Sequence, residues 1–515
     1  MKRKTNKKSL VLFLSLLMII SAAFAISAHN TQSQKNVAKD ESVIIKGFAN
    51  KEKTAEYVLR FDGTLEVSGT GSAYVYEIFR EDGNGRTYFN DRVKKIIVDE
   101  GITELSNGAF RNMGRVTEIS LPESLEKIGV EIFMRATLKE FYIPASLKEV
   151  DDNTFEDLII GKFRVSPENK DFCLDENGVL FSADKTILYA APSEMKAESY
   201  TIPEGTVELR TQALYNCKNL KRVTVYDSLY IIGTAAFGDD VLESAEEDNG
   251  IYYIGNIAVG MTDDMAESSK KISFREGTVA IYPFAFCYGN FSEFDFPKSL
   301  KSICNGAFCE SEIFDFNFPP NLEYIGTDAF NNRNCFVLPA SVKKIGPFFV
   351  KKLAILNPEF EFDYEYSFYR MELIVGYSGS TAEKFAKENS IYFASIDEGH
   401  EHVYFEEVIT PATCTENGKS LKFCPCGKTG MITVYPVAKG HNWNWNPEED
   451  EDGIEYWFCS DCDEITYENP FDYHYVDCDC ICQKDGFSKI VYKFVRFFWK
   501  LFRINKECLC GELHY

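Results

Sequence analysis

Apolar positions follow one recurring pattern along most of the chain. It is visible in VTEISLPESLEKIGVEIF (116–133), LKEFYIPASLKEVDDNTF (138–155), LKRVTVYDSLYIIGTAAF (220–237) and IFDFNFPPNLEYIGTDAF (313–330). The reference is the proline at Pro122, Pro144, Pro203, Pro297, Pro319 and Pro339, with Asp99, Tyr226 and Arg275 filling the same slot in three further copies. One and three residues before it the chain is apolar or aromatic, as in Leu121/Ile119, Ile143/Phe141, Val225/Val223 and Phe296/Phe294. Six residues after it stand Ile128, Val150, Leu209, Ile232, Ile281, Ile303, Ile325 and Ile345. Eleven after it stand Phe110, Phe133, Phe155, Leu214, Phe237, Phe286, Phe308 and Phe330.

Alternation before the reference predicts a short strand with one face inward. Proline ends that strand because it has no N–H to give a ladder. A unit of 22 to 23 residues cannot bury its apolar side alone, so the copies must stack into one continuous core. The spacing predicts a mainly β solenoid. Its period is broken between Phe155 and Leu214 (59 residues) and between Phe237 and Phe286 (49 residues). Each break holds a hairpin-like passage, GVLFSADKTILYAA (178–191) and GIYYIGNIAVG (250–260). Such insertions either carry binding residues or extend the sheet.

The repeats resemble the BspA-like family of bacterial leucine-rich repeats, with the pattern L-x-x-I-x-I-P-x-x-L-x-x-I-x-x-x-A-F. The passage YVLRFDGTLEVSGTG (57–71) is similar to the small β unit that opens such arrays, and IVGYSGSTAEKFAKENSIYFA (374–394) to the cap that closes them. The resemblance covers residues 43–396. It implies an N-terminal β unit over 43–92 and a leucine-rich-repeat solenoid over 93–396 with two hairpin insertions and a C-terminal cap. It also implies a surface protein that engages a host or neighbouring-cell protein or glycan.

Two positions before the reference, the outward column reads Ile97, Ser120, Tyr142, Thr201, Thr224, Ser273, Asp295, Asn317 and Val337. It mixes polar and apolar groups without a single sign of charge, which suits a protein or glycan more than phosphate. Ser120, Tyr142, Thr201, Thr224, Ser273, Asp295 and Asn317 are the expected ligand-binding face. No catalytic constellation stands out in the array. Its cysteines, Cys173, Cys217, Cys287, Cys304, Cys309 and Cys335, read as small buried hydrophobes. No histidine is available there to activate one as a nucleophile.

Composition sharpens this picture. Among 515 residues, 42 Phe and 28 Tyr imply a large aromatic core, and a net charge of -24 disfavours nucleic acid. Lys2, Arg3, Lys4, Lys7 and Lys8 precede Leu10–Ile20, apolar apart from Ser15, and Ala23-Phe24-Ala25 fits an A-x-A cleavage site. That is a secretory signal peptide over 1–25, too short in its apolar part to span a bilayer comfortably. An uncleaved N-terminal anchor is the alternative. The expected location is secreted, with retention at the bacterial cell surface.

From His400 the chemistry changes, because the last 116 residues hold ten of the 16 Cys and five of the six His. Close Cys pairs accompanied by His have the form of a zinc-ribbon-like site, in which Zn²⁺ takes four thiolate or imidazole ligands. The expected metal residues are Cys414, Cys424, Cys426, His441, Cys459 and Cys462 within 400–475, then Cys478, Cys480, Cys482, Cys508, Cys510 and His514 within 478–515. Disulfides and free thiols are the rivals. Histidine enrichment and C-x-C neighbours, which are badly placed to bridge each other, favour structural zinc. A small domain without enough core needs such a staple. A catalytic zinc would instead take His400, His402 and His441. The passage ATCTENGKSLKFCPCG with the later GH resembles a small repeated module of surface proteins in Gram-positive gut bacteria, over 400–441 with a degenerate second copy to about 470.

In the tail, FSKIVYKFVRFFWKLFRI (487–504) carries Lys489, Lys493, Arg496, Lys500 and Arg503 at spacings of 4, 3, 4 and 3. On a helix they form one stripe, opposite Val491, Phe494, Val495, Phe498 and Phe502. An amphipathic helix of this kind lies in an anionic interface, with Lys489, Lys493, Arg496, Phe498, Lys500 and Arg503 as envelope contacts. Packing onto the cysteine clusters and membrane disruption are the alternatives. The tail also resembles a C-terminal motif of exported proteins from gut Firmicutes, which implies an envelope-retention element. The expected function is an adhesin-like binding protein. Its rivals are a self-associating envelope component and a zinc-dependent enzyme.

Overall fold

The computed structural model describes residues 42–466, apart from 83–84, 134, 269–270, 290, 292, 310–317, 331–334, 347–349, 363–370, 411, 427–431, 435, 437, 445–447, 450–454 and 463. The signal peptide, Asn317, and the tail with Cys478, Cys480, Cys482, Lys489, Lys493, Arg496, Phe498, Lys500, Arg503, Cys508, Cys510 and His514 lie outside the described residues.

Among the described residues the coils contribute short front and back strands that pair in parallel with those of neighbouring coils, the back strands in long ladders and several front strands only two by two. Apart from Ile159–Val165, which the broken period hid, the front strands are those predicted ahead of the reference slot. Lys95–Val98 pairs with Glu118–Ser120, Thr137–Ile143 with Ile159–Val165, Ser199–Thr201 with Arg222–Thr224, and Lys271–Ser273 with Glu293–Asp295. The reference carbonyl then accepts the N–H three residues on, as at Pro122/Leu125, Pro144/Leu147, Pro297/Leu300 and Pro339/Val342, so the chain turns sharply. It enters a back ladder of two-residue strands such as Lys127–Ile128, Glu149–Val150, Ser302–Ile303 and Tyr324–Ile325.

The core lies between the two ladders. Every residue six or eleven positions after the reference is buried. The aromatic ones stack from coil to coil, Phe110 on Phe133 with ring centroids 5.3 Å apart, Phe286 on Phe308 at 5.6 Å and Phe308 on Phe330 at 5.5 Å. Two residues before this slot the backbone is left-handed in coil after coil, at Gly108, Glu131, Gln212, Ala235, Phe284, Gly306 and Asp328. The conformation aims N–H groups at the next coil, as when Gln212 N donates to Thr234 O at 2.9 Å and Leu214 N to Ala236 O at 2.8 Å. Glycine meets this need without strain at 108 and 306; the other coils bear it with L-residues.

Both insertions extend the back ladder. Ile187–Ala190 ends the first hairpin and pairs parallel with Glu208–Leu209, setting Leu188 against Leu209. Ile257–Met261 ends the second and sets Ala258 against Ile281. Each break therefore conceals a further coil, with Leu188 and Ala258 in the core slot. At the N-terminal end Thr64–Gly69 of an antiparallel trio pairs parallel with Lys95–Val98, so the trio continues the front ladder. At the other end Leu373–Gly376, the helix Thr381–Glu388 and Tyr392–Ser395 close it. The Ser380 hydroxyl caps that helix by accepting from Glu383 N at 3.3 Å.

One expectation needs correcting. Cys287 and Cys309 are not small hydrophobes but a disulfide. Cys217 and Cys304 are buried free thiols, and Cys173 is half-buried. Burial pushes the Cys217 thiol up to about 12 and Cys304 up to about 11, so both are inert at neutral pH. Beyond the cap stand two small antiparallel sheets, Phe405–Thr410/Lys419–Phe423/Ile432–Val434 and Glu448–Glu449/Glu455–Phe458/Ile465–Thr466. Among the described residues no helix is long and apolar enough to cross a membrane.

Candidate binding face and metal centres

Strand alternation sends every second front-strand side chain outward. Ser120, Thr201, Thr224, Ser273 and Asp295 are accordingly exposed, with Thr201 beside Thr224 and Ser273 beside Asp295 in register. Tyr142 is half-buried and engaged: its hydroxyl donates to Glu123 Oε1 at 2.7 Å, and the Arg164 guanidinium lies 4.8 Å from its ring centre. Arg164 stands beside Tyr142 in the ladder, so it belongs to the column; the broken period hid it. A second outward row carries charges that neutralise each other across rungs, Lys95 with Glu118 at 3.8 Å and Lys162 with Glu140 at 2.8 Å. The Lys162 ammonium holds the Glu140 carboxyl below the usual carboxylate range. Exposed pairs like these contribute little stability, but they leave a face of small hydroxyls flanked by balanced charge.

Towards the cap the column turns apolar. Register places Val337, Ala354, Val375 and Ala394 side by side. They are covered by the first small sheet, whose Phe405 is fully buried, with Val403, Phe423 and Cys426 packed around it. Val337, read from the sequence as an outward position, is thus half-buried beneath this sheet. The Cys/His region docks on the same face as the exposed column.

Eight histidine and cysteine positions were expected to hold metal or were weighed for it between 400 and 466, and they gather in two fours. His400, His402, Cys424 and Cys426 form the first; Cys414, His441, Cys459 and Cys462 form the second, each with its donor atoms within 4.8 Å of one another. In the first, H-x-H and C-x-C spacing puts both members of each pair on one side of an extended chain. Cys424 Sγ is 3.6 Å from His400 Nε2, and Cys426 Sγ is 3.6 Å from His402 Nδ1. His400 Nδ1 donates to the Asp397 carbonyl at 2.7 Å, which turns Nε2 towards the group as the nitrogen placed to bind.

In the second, Cys414 Sγ and Cys459 Sγ are 3.7 Å apart, and Cys462 Sγ lies 3.4 Å from His441 Nδ1. Glu464 Oε2 stands 3.3 Å from His441 Nε2, an acceptor for the ring's other N–H. Asn442 N and Asp461 N point at Cys459 Sγ from 3.3 and 3.4 Å, the knuckle geometry in which backbone amides stabilise a thiolate. Burial raises the Cys459 thiol, but hydrogen bonds from Asp461 N–H, His441 and Asn442 N–H outweigh it and bring the group to about 6. Burial and the neighbouring sulfurs push Cys414 up to about 12.

The donors fit a tetrahedral ion. With Zn–S near 2.3 Å and Zn–N near 2.0–2.1 Å, the S···S and S···N edges of a tetrahedron are about 3.8 and about 3.6 Å, and the observed separations match. Each group offers four protein donors, and an ion bound by all four would have no open position of the kind a catalytic zinc needs. The His400, His402 and His441 triad does not form, because His441 belongs to the second group. His400 and His402 stand outside the structural metal set expected from the sequence, although their spacing mirrors that of Cys424 and Cys426, with which the structure groups them.

The family model for the BspA type leucine rich repeat region matches six copies, over residues 84–171, 185–263 and 264–369. No curated protein matches the chain. Among solved structures, a leucine-rich repeat protein from Eubacterium ventriosum is 21% identical over 56% of this chain and 94% of its own, with a TM-score of 0.30. The pneumococcal vaccine antigen PcpA is 18% identical over 68% and 98%, with a TM-score of 0.29. A leucine rich cell surface protein from Faecalibacterium prausnitzii is 14% identical over 67% and 98%, with a TM-score of 0.20.

Proposed function

The chain belongs to the BspA-type leucine-rich-repeat family, and on that premise we propose that it is an exported, adhesin-like binding protein held at the bacterial surface. Its front column recognises a protein or glycan of a host or neighbouring cell. The observation that carries this reading is the outward set itself: Ser120, Thr201, Thr224, Ser273 and Asp295 lie exposed on the front strands, Thr201 beside Thr224 and Ser273 beside Asp295 in register, and charges of neighbouring outward positions are paired with one another. Hydroxyls at fixed spacing can exchange hydrogen bonds with sugar hydroxyls or backbone amides, while the absence of single-sign charge disfavours a phosphate-rich partner. Secretion through residues 1–25, envelope contact through 487–504 and structural zinc in the Cys/His region are parts of the same reading. The zinc staples and does no chemistry.

The test is adhesion of the full chain, coated on beads, to immobilised mucin and extracellular-matrix proteins. The variant Ser120→Lys/Thr224→Lys/Ser273→Lys should lose adhesion while keeping its melting temperature. Equal adhesion by that variant would refute the column. Adhesion of the beads only to one another would mean a self-associating envelope component.

A further inference from the structure

The two Cys/His groups draw their ligands from different units, and that distribution assigns them a task. The first takes His400 and His402 from the segment leaving the cap, and Cys424 and Cys426 from the end of the strand Lys419–Phe423. The second takes Cys414 from the loop of the first small sheet, but His441, Cys459 and Cys462 from the second sheet and its approach. Sequence order and ligand order are interleaved. Cys414 lies between the two pairs of the first group, yet serves the second.

We propose that these groups are two Zn²⁺ joints in series, the first clamping the small sheet over the apolar end of the front column, the second tying the outer sheet to the first. The proposal rests on the reading of structural zinc given above. Among their described residues the two sheets bury little apolar surface of their own. Among described residues 400–466, Phe405 and Trp457 are the large buried apolar side chains that are not candidate ligands. Two such side chains offset only a small part of the conformational entropy lost in ordering the backbone of both sheets. A closed four-ligand ion, whose binding free energy is released only on folding, offsets that deficit.

The clamp has a defined seat. His400 is anchored by its bond to the Asp397 carbonyl, and the Asp397 carboxylate accepts Ser378 N–H at 3.2 Å in the cap. Cys426 itself packs against the patch that Ala354, Val375 and Phe405 form. Loss of the first ion would therefore uncover Ala354, Val375 and Val337, lengthening the front face by an apolar stretch. Loss of the second would free the outer sheet and leave the clamp in place. The occupied joints set where the polar binding column ends.

The experiment uses the full chain, loaded with Zn²⁺ alone, with native mass spectrometry for stoichiometry and hydrogen exchange for protection. Two ions per chain are expected. Stripping them with a high-affinity chelator should speed exchange at least about tenfold in 352–355, 373–376 and 405–423, as local opening becomes easier. Exchange in 118–120, 222–224 and 271–273 should not change. Cys424→Ser/Cys426→Ser should keep one ion and lose protection of 352–355 and 373–376. Cys414→Ser should lose the second ion's tight binding and the protection of 455–458, yet keep that of the cap strands. Chains that bind no zinc, with Cys414 and Cys459 joined by a disulfide or all thiols reactive, would overturn the zinc reading itself. Two ions whose removal leaves the cap strands equally protected would overturn the clamp and leave zinc standing.

Discussion

Cys287 and Cys309 occupy the same place in successive coils, each directly after a stacked phenylalanine, and a disulfide joins them across a Cα separation of 4.6 Å. The bond crosses one rung of the solenoid and closes a loop equal to a single repeat, with a sequence separation of 22. On the chain-entropy model a loop of this size is worth about 3 kcal/mol. Cys287→Ser/Cys309→Ser should lower unfolding stability by roughly that amount in urea titration. Dithiothreitol should destabilise the parent and leave the double variant unaffected. Equal midpoints with and without reductant would show that the bond does not form.

Phe308 faces Phe286 and Phe330 along the array and the edges of Phe274, Phe294 and Phe296 across it. Phe308→Ala should cost about 3–5 kcal/mol, since a cavity between adjacent coils has no neighbour able to fill it. Phe308→Leu should cost less, because Leu214 fills the same slot natively. A chemical denaturation series comparing the two decides this.

Ala235 carries the left-handed turn with φ 50°, where the coils at 108 and 306 use glycine. Ala235→Gly removes the clash between Cβ and backbone and should raise stability by up to about 1 kcal/mol, partly offset by greater freedom in the unfolded chain. A differential scanning calorimetry trace with a lower melting temperature would mean the turn is strain-free as it stands.

Arg210 is largely buried between Asp152 at 3.3 Å and Glu208 at 2.9 Å, with its guanidinium over the Tyr189 ring at 5.5 Å. Despite desolvation, the Glu208 and Asp152 carboxylates hold its pKa above the ordinary value, so it stays charged. Arg210→Met keeps the bulk but strands two carboxylates, and should cost about 3–5 kcal/mol. Arg210→Met combined with Glu208→Gln and Asp152→Asn should recover much of the loss. If the triple variant is no better than the single one, packing and not charge is what Arg210 supplies.

Much of the fold was legible because burial recurs at fixed offsets. A residue that must face the core every coil leaves a mark at six and at eleven positions past the reference, whatever lies between. Leu188 and Ala258 escaped because a hairpin inserted ahead of each breaks the offset while preserving the place in the ladder. The back strands escaped for another reason: two residues are too few to show alternation. The disulfide did leave a signal, since Cys287 and Cys309 follow Phe286 and Phe308 at equivalent positions, but burial of small thiols explained the same residues.

In the Cys/His region, ligand type was readable and partnership was not. His400 and His402 share the spacing of Cys424 and Cys426, a match that points to one site. That Cys414 leaves its own sheet to join His441, Cys459 and Cys462 depends on how the two sheets pack, which no local pattern encodes. The same packing covers Val337, whose place in the outward column is correct and whose exposure is not.

Recognition through the front face of the solenoid is the central claim. Hydrogen exchange of the full chain, alone and with the mucin or matrix protein that its beads adhere to, tests this most directly. Protection should appear in the front strands 118–120, 199–201, 222–224, 271–273 and 293–295, with the back ladder and the aromatic turns unchanged. Protection confined to the back ladder, the turns around Phe284 and Tyr288, or residues 400–466 would contradict the account.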